Sequence, residues 1–469
     1  MVLAACCLTL ACGEAPGGPS SNFNAAQARN TAAAAWDSWP ERVARIQPPT
    51  FPERQFQLPA PTDTTENMRP RIQAAIDSLH QLGGGKVILA AGVYHCHGPL
   101  HLRSNIHLHL AAGALLRFGD DPSDYLPLVK VRWEGTVCWN WSPLLYAYRA
   151  ENIALTGQGE IDGNGRRWSG EWRKKQKKDQ TLLRQMGNDR LPEDQRVFGN
   201  GYLDQDGDGQ DDGFGDGQAH YLRPTLVEFY ECKNILLAGL TLRNSPFWTV
   251  HPVFSSNISI RGLRVLGETL NDDGIDPDSC SDVLIEDCYV ATHDDAISIK
   301  AGRDQDAWDR LPATNILVRN CVLASGVNAF CVGSEMSGGV HDVFVQDCHI
   351  SQGKYAVHLK CNLDRGGEVS RLFIRRLDVD TVKEALFRGS MDYHSYRGNN
   401  FPTRFTDVFV QDVQCADAGS YGIRLVGVEA SPITRFFFED LNMERVDTAA
   451  QLLHTAEIVL DQVEGKMER

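Results

Sequence analysis

The sequence predicts an all-β fold, a single-domain parallel β-helix in which short strands wind into stacked coils. The first observation is a polar residue followed by an apolar-x-apolar triplet, which recurs along the chain. From residue 234 onward the recurrences are 23, 25, 33, 27, 29, 36 and 28 residues apart, a spacing typical of solenoids. The recurring polar residues, which we call the markers, are Asn105, Asn152, Asn234, Asn257, Asp282, Asn315, Asp342, Arg371, Asp407 and Arg435.

The second observation is an apolar or thiol side chain six residues after each of the last eight markers. A leucine-rich repeat is the rival fold, but its leucine and helix pattern does not occur. Three of these positions are cysteines, and the chain has no Cys-x-x-Cys spacing, so we interpret them as buried thiols rather than metal ligands. The positions are Leu240, Leu263, Cys288, Cys321, Cys348, Leu377, Val413 and Leu441.

Composition is ordinary for a globular protein, with 42% hydrophobic residues among 469, enough for a large core. The net charge is −15, so the chain lacks the overall positive charge that binds nucleic acid, and we expect no nucleic-acid partner. An acidic polymer would be repelled at long range, and local cations would have to hold it.

An export segment is predicted over residues 1–20, because a short apolar run precedes a small, flexible stretch. Cys6 and Cys12 are candidate lipoprotein cysteines. We therefore expect an extracellular, periplasmic or lipid-anchored protein. No run approaches the ~18 apolar residues of a membrane span, so no transmembrane segment is expected.

Residues 21–55 are predicted to be a linker, since this region is rich in Ala, Ser and Pro. The β-helix domain is predicted over 56–469, with strands from 86–89 and 105–108 onward and an insert at 166–220. It begins with a short N-terminal capping helix that ends at the glycines 83–85. The apolar face of that helix is Ile72, Ala75, Ile76, Leu79 and Leu82.

Several carboxylates lie at similar distances behind the markers. Asp273 is 16 residues past Asn257, and Asp294 and Asp295 are 12 and 13 residues past Asp282. Coils of a β-helix stack about 4.8 Å apart, so we expect these groups on one side of neighbouring coils. Crowded carboxylates raise the pKa of one member, which leaves a proton donor beside an ionised base, as glycosidic hydrolysis requires. A capped turn or a structural calcium site is the alternative. The matching positions of the next two coils are Val327, Asn328, His358 and Lys360.

These residues lie in segments that resemble glycoside hydrolase family 28, the polygalacturonases. The resemblance covers most of the chain from about residue 55, with several segments in the family's order. It implies a right-handed parallel β-helix that hydrolyses galacturonate-containing pectic polysaccharide without a cofactor. The segments are residues 105–110 with 113–114, 157–163, 244–251, 271–276, 294–295 with 299–300, and 333–339.

The resemblance also implies roles for individual residues. Asp294 matches the family's general acid, and Asp273 and Asp295 match the residues that activate water in an inverting mechanism, with room for water between the carboxylates. Lys360 matches a lysine that holds a uronate carboxylate. The other expected substrate-binding residues are Lys300, His251, His293, His358 and Asn328.

Three positions depart from the family pattern. The family's Arg-Ile-Lys reads His358-Leu359-Lys360, so the bidentate arginine clamp is lost. The histidine of its Gly-His-Gly is absent near residues 326–328, and Val327 or else Asn328 takes its place. His293 replaces the glycine before the aspartate pair. Because the acid–base set survives, a rhamnogalacturonan-type or otherwise modified pectic substrate is the alternative to homogalacturonan.

Two features stand out in the insert. Residues 173–178 (Arg-Lys-Lys-Gln-Lys-Lys) form a basic cluster, which we interpret as a solvated helix face. Residues 204–212 place oxygen ligands at alternate positions with a glycine at the sixth, like the start of a calcium loop. Gly215 stands where an EF-hand has glutamate, so we expect an incomplete loop that binds a structural Ca²⁺. Its ligands would be Asp204, Asp206, Asp208 and Asp212.

Three functions stay open. The first is an exported, inverting hydrolase of pectic polysaccharide. The second is a β-helical polysaccharide lyase, which would need a calcium-bridged uronate and would leave an unsaturated product. The third is a non-catalytic carbohydrate-binding solenoid. In each case the partner is a pectic polysaccharide or oligosaccharide, and the protein is expected to be a monomer.

Overall fold

In the computed structural model, the repeating segments form the coils of a right-handed parallel β-helix. The structure describes residues 23–204, 206 and 211–467, and the predicted export segment lies outside them. The helices are α1 (Ala25–Asp37), α2 (Trp39–Ala44), α3 (Arg69–Gln81), α4 (Arg173–Lys175), α5 (Lys177–Asn188) and α6 (Asp304–Ala307), with a π-helical turn at Trp168–Trp172 and 3-10 turns at Pro122–Asp124 and Glu193–Gln195.

Thirty-one strands follow one another along these residues. The first twelve are β1 (Gln55–Leu58), β2 (Gly85–Leu89), β3 (Gly92–Cys96), β4 (Leu100–His101), β5 (Ile106–Leu110), β6 (Ala114–Phe118), β7 (Leu128–Trp133), β8 (Thr136–Trp141), β9 (Leu145–Tyr148), β10 (Glu151–Gly157), β11 (Glu160–Asp162) and β12 (Val197–Phe198). The next twelve are β13 (Val227–Tyr230), β14 (Lys233–Ala238), β15 (Thr241–Arg243), β16 (Val250–Val253), β17 (Ser256–Arg261), β18 (Arg264–Leu266), β19 (Ser281–Glu286), β20 (Tyr289–Thr292), β21 (Ile297–Ile299), β22 (Ala313–Arg319), β23 (Val322–Ser325) and β24 (Asn328–Gly333). The last seven are β25 (Val340–Lys360), β26 (Glu368–Ser390), β27 (Arg404–Asp417), β28 (Tyr421–Val426), β29 (Ile433–Val446), β30 (Thr448–Leu453) and β31 (Thr455–Met467).

Three stacks of parallel strands run along the solenoid, one for each face of a coil. The first stack contains the marker strands β5, β10, β14, β17, β19 and β22 and then the first parts of β25, β26, β27 and β29. The second contains β3, β6, β11, β15, β18, β20 and β23. The third contains β4, β9, β13 and β16 and then β21, β24, the ends of β25 and β26, β28 and β30.

The markers lie at the corner where each first-stack strand begins. All ten have a positive φ of 53° to 64°, a left-handed conformation that Asn and Asp tolerate better than most residues. Their side chains also join neighbouring coils. The Asn234 Nδ2 donates to Asn152 Oδ1 at 2.8 Å, and the Asn257 Nδ2 donates to Asn234 Oδ1 at 2.7 Å. The markers are therefore corner residues that form a hydrogen-bonded ladder.

The predicted inward positions are confirmed. All eight side chains, from Leu240 to Leu441, are at most 3% exposed in one continuous core. The ten cysteines among the described residues are free and buried, including the three that occupy inward positions.

The N-terminal region differs from the predicted linker over residues 21–55. Residues 25–44 form α1 and α2, and Asn24 accepts a hydrogen bond from the backbone of Gln27 as the N-cap of α1. One face of α1 carries Ala28, Ala32 and Trp36, which are spaced four residues apart. This face packs on outward apolar side chains of the coils, each of which lies two residues after a marker. The prolines that suggested irregular structure begin mainly after residue 47. The outward partners are Leu284, Leu317, Phe344, Phe373, Phe409 and Phe437.

The capping helix is confirmed as α3, which buries Ile72, Ala75, Ile76 and Leu79 against the first coil. Leu82 was expected on the same face, but it is the residue after the helix and is 61% exposed. Gly83, with φ +91°, turns the chain out of the helix toward β2.

Two segments leave the coil and cover the third stack. The predicted insert forms the π-helical turn, α4, α5 and β12. The hairpin β7–β8, which the sequence analysis does not predict, pairs with β12 in a separate three-stranded sheet. The buried Arg132 of this hairpin donates to Asp278 Oδ1 at 2.9 Å and so attaches the sheet to the coils.

We expect Asn234→Val to lower the free energy of unfolding by about 2–4 kcal/mol. The valine would lose two ladder hydrogen bonds and place a β-branched residue in a left-handed conformation. Asn234→Gly should cost less, because it loses only the hydrogen bonds. Urea unfolding of the three proteins measures the difference, and equal midpoints for Asn234→Val and wild type would contradict the ladder's role.

Candidate active site

A polar cleft of about 490 Å³ lies over the third stack. Its floor comes from the coils, and its walls come from the β7–β8 turn, the insert helices and the loop after β26. The floor residues are Trp248, Asn271, Asp273, Asp294, Asp295, Lys300, Arg303, Ser334, Glu335 and Lys360. The wall residues are Glu134, Arg173, Gln176, Lys177, Gln180, Arg184, Tyr393, His394 and Ser395.

Three aspartates meet at the centre of the floor. Asp273 lies between β18 and β19, and Asp294 and Asp295 lie in the turn between β20 and β21. The fully buried Asp272 joins the two loops: its Oδ1 accepts from the backbone N–H of Asp294 at 3.0 Å and from that of His293 at 2.9 Å. The relative position of the three carboxylates is therefore set by backbone hydrogen bonds.

Asp294 is the accessible member of the three. It is partly exposed to the cleft, whereas Asp273 is 4% and Asp295 1% exposed. The Asp294 Oδ2 accepts from Asn271 Nδ2 at 3.2 Å, and its Oδ1 accepts from the Asp295 backbone at 3.0 Å. A substrate in the cleft would meet the Asp294 carboxyl first.

Asp295 is surrounded by donors. The Lys360 Nζ lies 2.5 Å from its Oδ2, and the Cys331 thiol donates to the same oxygen at 3.1 Å. The Asn328 Nδ2 donates to its Oδ1 at 2.5 Å. Both oxygens of Asp295 are thus bound, and the carboxylate form is stabilised.

A second lysine, Lys300, forms an ion pair with Asp273. The Lys300 Nζ lies 3.2 Å from Asp273 Oδ2, 3.7 Å from Asp276 Oδ1 and 3.8 Å from Glu335 Oε2. The same ammonium lies 4.1 Å from the centre of the Trp248 ring, a cation–π contact. One buried cation therefore faces three acidic groups. Neither oxygen of Asp276 accepts a hydrogen bond from the described residues.

Burial and charge separate the pKa values of these groups. Burial and then the neighbouring charge of Asp295 raise the pKa of Asp294 to about 6. Burial also raises the pKa of Asp273 well above its ordinary value, against the attraction of Lys300. For Asp295, burial opposes ionisation, but Lys360 and Lys300 outweigh it and lower the pKa. The cluster therefore holds an ionised carboxylate beside carboxyls that keep a proton, as general acid–base chemistry needs.

One oxygen from each of Asp273, Asp294 and Asp295 lies within 4.8 Å of the others. This is closer than the ~6.5–9.5 Å between carboxyls that is typical of inverting glycosidases. One water can donate to two oxygens at this separation, so the cluster can still hold an attacking water.

A model of glycosyl hydrolases family 28 matches residues 175–457. The chain belongs to this family. Its structure is similar to a hyperthermoactive exopolygalacturonase from Thermotoga maritima, with 32% identity, a TM-score of 0.80, and coverage of 89% of this chain and 96% of the other. Its sequence is 29% identical over 384 residues to a probable polygalacturonase of Vitis vinifera, covering 77% of this chain and 68% of that protein. It is 25% identical over 413 residues to an exo-poly-alpha-D-galacturonosidase of Dickeya chrysanthemi, covering 83% and 67%. The protein is therefore an O-glycosyl hydrolase.

Two of the residues at positions that depart from the family 28 pattern, His358 and Asn328, contact each other. His358 Nδ1 pairs with Asn328 Oδ1 at 2.8 Å, and Asn328 in turn holds Asp295. His358 is 4% exposed, and burial and then Lys360 lower its pKa well below the ordinary value. Neither residue lines the cleft. In this family 28 chain they support a carboxylate instead of facing the substrate as expected.

Two other histidines also lie away from the expected position. His251 is fully buried beneath Trp248, with Nδ1 3.4 Å from Glu228 Oε2 and Nε2 3.4 Å from Asp278 Oδ2. The prediction that it binds substrate is wrong, because motif matching gives no depth. His293 is exposed, faces Asp272 and does not line the cleft. Lys300 and Lys360 do line it, as expected.

Several cleft residues are not among those predicted from the sequence. Tyr393 covers Lys360, with its ring centre 5.4 Å from the ammonium, and it belongs to a loop outside the repeat. Arg173 and Lys177 belong to the basic cluster that was interpreted as solvated, yet both line the cleft. Trp248 lay within a matched segment, so its position could have been predicted.

The acidic loop of the insert brings three predicted calcium ligands together. One oxygen each from Asp204, Asp206 and Asp212 lies within 4.8 Å of the others. Asp204 is buried, and the other two are exposed. Asp208 lies outside the described residues.

The His251 network predicts a pH-dependent stability. Burial opposes the charge on His251, but Asp278 and Glu228 outweigh it and raise its pKa to about 9. A raised pKa stabilises the fold below the unfolded value of ~6.5, and this stabilisation is lost as pH rises through 9. We expect wild type to lose on the order of 3 kcal/mol between pH 6.5 and 9 from this group. Urea unfolding across that range should show a shallower slope for His251→Gln, and parallel curves would contradict the assignment.

Proposed function

We propose that this protein hydrolyses α-linked galacturonan, with Asp294 as the general acid. The observation that supports this most strongly is the accessible Asp294, whose pKa burial and Asp295 raise to about 6, beside the ionised Asp295 and two lysines. The relatives named above are polygalacturonases and galacturonosidases, which supports galacturonan over a rhamnogalacturonan-type chain. The proposed reaction uses no cofactor.

In the proposed reaction Asp294 protonates the leaving glycosidic oxygen. The ionised Asp295 accepts a proton from the attacking water, while the water oxygen bonds to the anomeric carbon and the bond from that carbon to the leaving oxygen breaks. Asp273, which Lys300 holds beside Asp295, orients that water. Lys300 and Lys360 line the cleft and balance the negative charge of Asp273 and Asp295.

We propose inversion of configuration on the basis of which oxygens are free. Asp295 is 1% exposed, and its oxygens accept hydrogen bonds from Lys360, Asn328 and, more weakly, the Cys331 thiol, so it is too enclosed to bond to the sugar carbon directly. Asp273 is buried against Lys300. A base that acts through a water fits this arrangement better than a covalent intermediate does.

We further propose release of sugars from a chain end. The turn of the β7–β8 hairpin closes one side of the cleft: Glu134 accepts from Gln180 at 2.9 Å and from Arg184 at 2.6 Å. The backbone N–H of Arg303 on the floor donates to Gly135 at 3.0 Å. A wall attached at both ends suits a terminal sugar, and two of the relatives above are exo-acting by name.

The protein is proposed to act as an exported monomer on pectic polysaccharide or its oligosaccharides. The predicted export segment supports this localisation. Among residues 23–204, 206 and 211–467, no helix has the length and apolar character to cross a bilayer.

Asp294→Asn should lower kcat on trigalacturonate by about 10²–10⁴-fold, because an amide cannot donate the proton. Wild-type kcat/KM should fall as pH rises above about 6, since the acid must be protonated. Steady-state kinetics across pH 4–8 measure both effects, with calorimetric binding and thermal melting as folding controls. A variant that folds, binds and keeps a third of wild-type turnover would exclude Asp294 as the acid.

We propose a structural Ca²⁺ at Asp204, Asp206 and Asp212, as in the predicted loop. Calcium should raise the Tm of wild type, because an ion that binds only the folded state stabilises it. Asp206→Ala with Asp208→Ala should remove the shift, and the exposed Asp194→Ala is the matched control. An unchanged calcium shift in the double variant would place the ion elsewhere.

A further inference from the structure

The family's usual carboxylate clamp is missing from this chain, and the cations that remain on the cleft floor are already paired. Lys360 is bound to Asp295 at 2.5 Å and Lys300 to Asp273 at 3.2 Å. His358 is buried, uncharged and outside the cleft. A polyuronate substrate still needs cations, particularly on a protein with a net charge of −15.

The other floor and wall cations are also paired with carboxylates. Arg303 Nη1 lies 2.8 Å from Glu335, and Arg184 Nη2 lies 2.6 Å from Glu134. Only two cations that line the cleft have no carboxylate at ion-pair distance within the described part of the chain. These are Arg173 and Lys177.

Arg173 is linked to the proposed acid through one residue, Asn271. Its Nε donates to Asn271 Oδ1 at 3.3 Å, and the Nδ2 of the same amide donates to Asp294 Oδ2 at 3.2 Å. Lys177, one helical turn further along, makes only a neutral contact, 3.2 Å from Gln180 Oε1. Both side chains are exposed and therefore free to accept an anion.

The segment that carries these cations is anchored to the catalytic loop. The fully buried Arg223 donates from Nε to Gln176 Oε1 at 2.9 Å and from Nη2 to Asn271 Oδ1 at 2.8 Å. Gln176 lies between the two cations in sequence and is 6% exposed. Arg173 and Lys177 are thus held at a defined place relative to Asp294.

We infer that Arg173 and Lys177 bind the uronate carboxylate at the cleavage site, in place of the lost clamp. This inference rests on the proposed function. The insert then acts as a specificity element: its guanidinium offers a bidentate contact to a carboxylate, and its ammonium adds a point charge. Arg173 lies just before, and Lys177 just inside, the region that the family model matches, residues 175–457, and both belong to the insert.

The test compares two double variants that remove the same charge from the same segment. Arg173→Gln/Lys177→Gln removes the cleft cations, and Lys174→Gln/Lys178→Gln removes two exposed neighbours that do not line the cleft. We expect the first to raise KM and calorimetric Kd for trigalacturonate by about 10-fold or more, from one or two lost charged hydrogen bonds, with kcat much less affected. Its KM should also lose most of its salt dependence. The second should stay within about 2-fold of wild type in both constants.

Each outcome decides the inference. Unchanged affinity in the cleft variant would overturn it. An equal loss of affinity in both variants would also overturn it, because binding would then depend only on the overall charge of the segment. Thermal melting confirms that both variants fold. Wild type that binds trigalacturonate without cleaving it would refute the proposed function, while the binding comparison would still test these two cations.

Discussion

Backbone hydrogen bonds between successive coils hold this solenoid in parallel register, and that register brings together the groups on the cleft floor. In the third stack, Ser298 pairs with Cys331, and Cys331 pairs with His358. Outward side chains from adjacent coils are therefore separated by about one strand spacing, near 4.8 Å. Asp295, in the turn before β21, and Lys360, at the end of β25, are 65 residues apart in sequence and become direct neighbours in this way.

The same stacking explains the electrostatics of the cleft. Packing one outward residue per coil beneath insert helices buries acidic and basic groups together, which makes their ionisation interdependent. Lys360 and Lys300 lower the pKa of Asp295, while burial and the charge of Asp295 raise that of Asp294. A base and an acid thus arise from identical side chains on adjacent residues, and only their surroundings distinguish them.

Features set by the repeat could be predicted from the sequence, whereas features outside it could not. The markers recur because a left-handed corner favours Asn or Asp, and the inward positions recur because the core requires an apolar side chain. Both patterns are visible in the sequence, so the coils and the aspartate cluster could be predicted from it. The helices α1 and α2 were missed, although outward Phe344, Phe373 and Phe409 signalled a covered face. The β7–β8 wall, Tyr393 and the cleft-facing side of residues 173–177 depend on non-repeating loops. His251 was misplaced because a sequence motif does not report burial.

Time-resolved ¹H NMR of trigalacturonate with the wild-type protein tests the central claim most directly. It reports bond cleavage, the product released and the configuration at the new reducing end before mutarotation. We expect hydrolysis to yield free galacturonate with β configuration first, and a shortened oligomer. A product that appears first as the α anomer would contradict the assignment of Asp294 and Asp295 as acid and water-activating base. An unsaturated sugar would contradict hydrolysis itself.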